Sequence, residues 1–421
     1  MSASKQSMRK LGVRAGLLAG ASAAVVAISG IGAGSAMAAP TCPGGTIAGQ
    51  GSTLQKNAQL NTWNPKYNTA CGAGSVAYTG TGSGAGLKAL GFTGTEIEHA
   101  WQFIGTDEAP TKLQIEASNK LSKTSAVVIP VTQTAIAVVV NPPSGCKFKA
   151  NKGITWAELN KAFGGNGITT WNQFSNVEGT CSSAITRVVR SDASGTTYQF
   201  KNYLSALETN TEIKAEGLPC TTAGVTNWAG LRTNNGGSPL PNPNVTWPQC
   251  TGSTKVTAVE GGGGVANTVA TTPGTIGYAA LPDAKAKAAT AALLQNGTTS
   301  GAARYASPEN TTTSTARCEN SRYTVPTGAS GGLNIDWSAV FGAQPTIGGT
   351  EYPLCTLTFD VGFHNAVTAG YTAAQGKEVV DYFKNYVVPT AAGQTDLKGT
   401  WYSTLPTNVQ EAAVSAAAQL G

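Results

Sequence analysis

The chain has 421 residues, a formal net charge of +6, 41% apolar residues, 12% charged residues and 7% aromatics. That apolar share can build a core, which excludes a disordered chain. The basic excess is small and unclustered, which excludes nucleic-acid or anionic-membrane binding as its main task.

At the start of the chain, Lys5, Arg9, Lys10 and Arg14 precede an apolar stretch from Leu17 to about Ala33, and Ala36-Met37-Ala38 supplies a small-x-small cleavage pattern. This predicts an export signal over residues 1–38 and a mature chain from near Ala39. A retained membrane anchor is the alternative, disfavoured by the short, glycine-interrupted apolar core. Losing four basic residues takes the formal charge from +6 to +2. All eight cysteines (Cys42, Cys71, Cys146, Cys181, Cys220, Cys250, Cys318 and Cys355) lie beyond this segment. An even count in an exported chain predicts up to four disulfides, with sequential pairing such as Cys220 to Cys250 the simplest. There is no CxxC pair, and His99 and His364 stand far from each other and from any cysteine cluster, so neither a metal nor another cofactor is expected.

About 380 mature residues exceed one comfortable core and predict two lobes. "SVAYTGTGS" reads as a strand entering a glycine turn, with "GLKAL" starting a short helix. Ser125–Asn141 is a β-branched run broken by Pro130, which predicts a strand edge or a crossover between lobes rather than one long central strand. Thr155 and Glu158 have capping-box spacing, and Trp156, Leu159 and Phe163 give a helix that stops at Gly164-Gly165. After a strand-like "RVV", residues Phe200, Tyr203, Leu204 and Leu207 recur at helical spacing, so Ser191 to Thr196 sits where a strand turns into a helix. "GGGGVANTVATTPGTIGYAAL" reads as a glycine turn, a short helix and a strand, and "GKEVVDYFKNYVV" and "NVQEAAVSAAAQL" as two C-terminal helices. Thr221–Thr254 and Asn296–Ser330 read as long surface loops. The alternation indicates an α/β protein with mainly parallel sheets.

Four loops combine glycine with Ser or Thr ahead of a helix, or nearly pure glycine: Gly49–Gln55, Gly80–Gly86, Arg190–Thr197 and Glu260–Ala266. A helix N-terminus leaves N–H groups unpaired at the positive end of its dipole, so each loop can donate to an anion. Taken singly, each is more readily an ordinary N-cap or turn than an anion site, and Arg190 with Asp192 is equally a salt bridge. "GTGSGA" satisfies a loose dinucleotide pattern, with Asp107 downstream, but the exported context offers no ready nicotinamide supply. Ser194 or Thr196 as a nucleophile lacks an adjacent base, and there is no GxSxG.

In chain order, "GQGSTLQ", "YTGTGSGAGLK", "FIGTDEAPT", "VIPVTQTAIAVVVN", "VVRSDASGTTYQFKNYL", "GVANTVATTPGTIGYA", "YPLCTLTF" and "YSTLPTNVQEAA" make the chain resemble the phosphate-binding proteins of phosphate ABC transporters, in the periplasmic-binding-protein type 2 family. The resemblance implies a two-lobed α/β fold with a ligand cleft between the lobes: residues 39–131 and 351–421 as one lobe, 132–350 as the other. It implies a non-enzymatic, monomeric phosphate binder, secreted or held in the cell envelope, with an ABC-transporter permease as partner. Another oxyanion, a phosphate ester, or a secreted phosphatase-like activity are the alternatives. Transferred motif by motif, the ligand set is Thr53, the Leu54 backbone, Ser83, Asp107, Arg190, Ser194, Gly195 and Thr196, with Asp192 orienting Arg190. Thr106-Asp107-Glu108-Ala109-Pro110 is one residue longer than the family pattern, which leaves Asp107 or Glu108 as the acceptor carboxylate. Such a carboxylate accepts the O–H that phosphate retains and repels sulfate, which has none. Cys42 fits a lipobox poorly, so no lipid anchor is expected.

Overall fold

The computed structural model describes residues 39–165, 167–209, 226–232, 245–299, 302–319, 323–341 and 351–421. The expected export signal, and Cys220 with its expected bond to Cys250, lie outside them. Cys250 itself is disulfide-bonded. Three further bonds, Cys42–Cys71, Cys146–Cys181 and Cys318–Cys355, join cysteines 29, 35 and 37 residues apart. Loop-closure entropy puts each at about 3–4 kcal/mol.

The strands that organise the molecule are β1 (Ile47–Gly51), β2 (Val76–Gly80), β3 (Phe103–Thr106), β4 (Ala126–Asn141), β5 (Thr186–Arg190), β6 (Lys255–Val259), β7 (Thr275–Ala280) and β8 (Cys355–Phe363). They follow the order β2-β1-β3-β8-β4-β7-β5-β6, with the short strand Thr290–Ala291 also paired to β4. The expectation of mainly parallel sheets fits the flanks, where β1 pairs β2 and β3, and β5 pairs β6 and β7, all parallel. It fails at the centre, where β8 is antiparallel to β3 and β4, and β4 to β7. The reason is that strands crossing between two cores and returning must run in opposite senses.

Two separate apolar cores form along this sheet. β4 enters both: Ala126 to Val131 in the first, Ala135 to Val140 in the second. β8 does the same, with Leu357 to Phe363 in the first core and Cys355 against the second. β4 is therefore the expected crossover, but it is also one continuous central strand of 16 residues, contrary to the sequence reading. Proline is tolerated because the β4–β8 register shifts there: Phe359 pairs Pro130 and Thr358 pairs Thr132, leaving Val131 unpaired in a bulge.

The helix Trp156–Phe163 carries its expected capping box, Thr155 Oγ1 accepting from Glu158 N at 3.2 Å and Glu158 Oε2 from Thr155 N at 2.8 Å. The C-terminal helices are Ala373–Val380, continuing into a wider π-helical stretch Asp381–Val387, and Thr407–Ala417. Two readings need correction. Asn296–Ser330 is not simply loop: Leu294–Thr299 pairs Ala302–Ala306, and Glu309–Asn310 pairs Thr315–Ala316, because its threonines and tyrosine suit strands as well as loops. The glycines of "GGGGVA" are not a turn but the first turn of the helix Gly261–Thr271.

Within Thr221–Thr254, the described parts are a short helix, Trp228–Arg232, and the stretch 245–254. Two fully buried cations hold that stretch through its carbonyls. Arg187 donates to Phe163 O, Pro248 O and Thr254 O at 2.8, 2.7 and 3.1 Å. Lys201 Nζ donates to Thr246 O at 2.7 Å and lies 4.6 Å from the Trp247 ring centre. Among the described residues, no helix is long and apolar enough to cross a membrane.

Candidate functional site: an anion cradle between the two cores

The C-terminal ends of β1, β2 and β3 face those of β5 and β6, so the glycine-rich loops that follow them converge. Crevices at such strand ends are the usual ligand position in α/β sheets. Contacts join the two sides directly: Gly84 N donates to Ala193 O at 3.2 Å, Gly262 N to Thr53 Oγ1 at 3.4 Å, and Gln199 Nε2 to Asp107 O at 2.7 Å.

Asp107 is the centre of this junction and is only 1% exposed. Its Oδ1 accepts from Ser52 Oγ and from Thr358 Oγ1 at 3.1 Å, and its Oδ2 from Thr196 Oγ1 at 2.9 Å. Burial raises its pKa, and the three hydroxyl bonds offset only part of that rise. A carboxylate has about four lone-pair positions, so one acceptor position on Oδ2 is left over.

Gly195 starts the helix Gly195–Thr209. A Cβ there would stand 2.5 Å from Ser83 Oγ and 2.9 Å from Asp107 Cβ, so glycine is what lets this turn approach. Ser83 Oγ in turn accepts from Asp107 N at 3.1 Å, and Ser194 Oγ from Thr197 N at 3.1 Å.

Arg190, at the end of β5, is 1% exposed. Its Nε donates to Asp192 Oδ1 at 2.6 Å and its Nη2 to Asp192 Oδ2. Its Nη1 is buried with no hydrogen-bond partner. Burial works to raise the Asp192 carboxyl, but the bond and charge of Arg190 outweigh it and hold the pKa below the usual value. Gly261 N adds a bond to Asp192 Oδ1 at 3.1 Å. Asp192 thus fixes one edge of the guanidinium and leaves the other to point elsewhere.

The structure brings Ser83, Asp107, Gly195 and Thr196 together, sets Thr53 against Gly262, and sets Arg190 against Asp192. The Leu54 N–H donates to Ser52 Oγ at 3.0 Å and its side chain joins the second core. Glu108 is half-buried, makes none of the Asp107 contacts, and has its pKa pushed up to about 8 by burial, with Arg232 opposing and Asp107 adding to the rise. Of the two carboxylates, Asp107 is the one at the junction. Ser52, Thr358, Gln199 and Asp283 were missed by sequence reasoning. Ser52, Gln199 and Thr358 lay inside quoted segments but were given no role there, whereas Asp283 belongs to a segment without a motif.

As chemistry, the cradle offers one guanidinium edge, several hydroxyls and the N–H groups of two helix starts. His99 packs edge-on against Tyr371, and His364 Nδ1 is engaged with Gln419 O.

A family model described as the PBP superfamily domain matches residues 36–383. In sequence the chain is similar to the phosphate-binding protein PstS3 of Mycobacterium bovis (strain BCG / Pasteur 1173P2), 33% identical over 190 residues, which make up 44% of this chain and 48% of that protein. The chain thus spans about half the length of the curated relatives it matches. In fold it is similar to PfluDING, a high-affinity periplasmic phosphate-binding protein bound with phosphate, with a TM-score of 0.61 at 20% identity over 87% of this chain and 92% of that one. It is also similar to a phosphate-binding protein from Stenotrophomonas maltophilia, with a TM-score of 0.57 at 18% identity over 88% and 93% of the two chains. At these identities the structural likeness speaks for the fold alone.

Proposed function

On the premise that the chain belongs to the PBP superfamily, we propose that it is an exported solute-binding protein that sequesters inorganic phosphate between its lobes. The observation that carries this reading is the pairing of an Arg190 edge braced by Asp192 with the buried Asp107–Thr196 contact. A guanidinium edge receives two oxyanion atoms, hydroxyls and N–H groups receive the rest, and the remaining acceptor position on Asp107 takes the phosphate O–H. The relatives' phosphate binding supports the choice of ligand.

The lobes are residues 39–131 with 351–421, and 132–350, except that Ala329, Trp337 and Val340 pack in the first core, and Tyr352 and Leu354 in the second with Cys355 against it. The protein works as a monomer outside the cytoplasm and delivers phosphate to an ABC-transporter permease. It acts as a binder rather than an enzyme, a reading supported by relatives that are phosphate-binding proteins and by the Thr196–Asp107 bond closing the cradle rather than standing open to a substrate.

Thermal-shift and calorimetric titration with phosphate, sulfate, arsenate and a phosphate monoester test the reading. Phosphate and arsenate should stabilise the protein in proportion to ln(1 + [L]/Kd) and sulfate should not. Turnover of the monoester, or a sulfate response equal to that of phosphate, would discard it.

A further inference from the structure

Asp283 lies in the first turn of the short helix Leu281–Ala286 after β7 and is 3% exposed. Its neighbours Leu281 and Ala284 belong to the second core. Its Oδ1 accepts from Asn57 Nδ2 at 3.0 Å, and Asn57 sits in the helix Lys56–Ala58, whose Ala58 packs in the first core. Asp283 therefore spans the same divide as Asp107.

Its other oxygen, Oδ2, is buried with no hydrogen-bond partner. It faces the first turn of the helix Gly261–Thr271, where a Cβ on Gly262 would stand 2.4 Å from Oδ2 and 3.8 Å from Thr53 Oγ1. The same turn donates to Thr53 and to Asp192. A buried acceptor aimed at a helix N-terminus beside two members of the anion cradle is placed to meet what the cradle holds.

Charge then limits what that can be. Lys56 from the first core, with Arg190 and Lys287, are the cations acting on Asp283, and Tyr402 lies in its field as well. Burial pushes its carboxyl up to about 6, with Lys56 and Asn57 opposing most, so it is ionised at neutral pH. Arg190 acts on Asp107, Asp192 and Asp283 together, and Asp192 is already spent on it. Arg190, Lys56 and Lys287 can balance the three carboxylates in charge, but the unfilled acceptor positions on Asp107 and Asp283 are met only by protons that the anion itself brings.

Resting on the phosphate reading above, we propose that Asp283 is a second acceptor carboxylate of the anion site, so that the ligand class is an oxyanion carrying two proton-bearing oxygens, one for Asp107 and one for Asp283. Dihydrogen phosphate and dihydrogen arsenate meet this condition. Phosphonate and phosphate-monoester anions offer at most one O–H, and sulfate offers none.

The test is calorimetry of phosphate and methylphosphonate binding from about pH 6 to about pH 8.5, in buffers of different ionisation enthalpy, with the wild-type protein and Asp283→Asn. The asparagine keeps the shape and can still accept from Asn57. Wild type should take up about one proton per phosphate bound at the alkaline end, and its affinity should fall about 20-fold across the range as dihydrogen phosphate is depleted. Asp283→Asn should lose the proton uptake, flatten the pH profile and narrow the preference for phosphate over methylphosphonate by about tenfold. A merely structural carboxylate would change stability and leave proton uptake and ligand ranking as they were, which would overturn the proposal. Should the variant fail to fold, the wild-type proton uptake decides alone: none at alkaline pH overturns it. A wild type that binds no phosphate at any pH removes the underlying reading and this one with it, so the two failures are distinguishable.

Discussion

Thr196 Oγ1 donates to Asp107 Oδ2 at 2.9 Å, tying the helix that follows β5 to the loop that follows β3 and so one core to the other. The bond uses one position of a buried carboxylate whose remaining acceptor capacity faces the anion cradle.

Removing the charge at that point should change selectivity before it changes fold. Asp107→Asn is expected to weaken phosphate binding by about 10- to 100-fold, the size of a lost charge-assisted hydrogen bond, while improving sulfate relative to phosphate. Competitive calorimetry gives both numbers, and an unchanged phosphate-to-sulfate ratio would count against Asp107 as the discriminating group.

Arg190 should tolerate neither truncation nor exchange for the other long cation. Arg190→Ala removes the guanidinium edge and leaves half-buried Asp192 with only Gly261 N, and is expected to cost about 100-fold or more in phosphate affinity, with a lowered melting temperature. Arg190→Lys restores charge but not the fork that grips Asp192 and an oxyanion at once, so affinity should stay well below wild type. A lysine variant that binds like wild type would mean the guanidinium geometry is irrelevant.

At Gly195, side-chain volume is the variable. As the first residue of its helix Gly195 gains little from alanine's helix preference, and a Cβ there would push Ser83, Asp107 and the Glu108 backbone away. Gly195→Ala should therefore weaken phosphate binding by about tenfold or more with little loss of stability in the absence of phosphate. Comparing melting temperatures with and without phosphate separates the two effects.

Buried Lys201 predicts a pH dependence of stability that has nothing to do with the ligand. Burial lowers its pKa from 10.5 to about 7. Between those values the unfolded chain binds the proton that the folded chain releases, so stability rises with pH; below about 7 the full cost of a buried cation is present. Lys201→Met should flatten the stability profile between about pH 7 and about pH 10, measured by denaturant unfolding. A wild type whose stability does not rise over that interval would contradict the assignment.

Much of this site was legible because its parts are local. Thr53, Ser83, Arg190, Ser194, Gly195 and Thr196 each lie in a short loop between a strand and a helix, where glycine, hydroxyls and helix spacing mark the place. Thr358 and Asp283 were not legible, since each reaches the cradle only through the pairing of β8 with β4 and the packing of the helix after β7. The fold divides the same way. Capping boxes and helical periodicity are written within a few residues, as Thr155 and Glu158 show. The continuity of β4 through Pro130 is decided by a partner strand more than 200 residues away in sequence, at Thr358 and Phe359.

That pairing has a mechanical consequence. The bulge that leaves Val131 unpaired is flanked on the other strand by Thr358, whose hydroxyl holds Asp107. The one irregularity in the β4–β8 ladder is thus bonded directly to the carboxylate at the centre of the cradle.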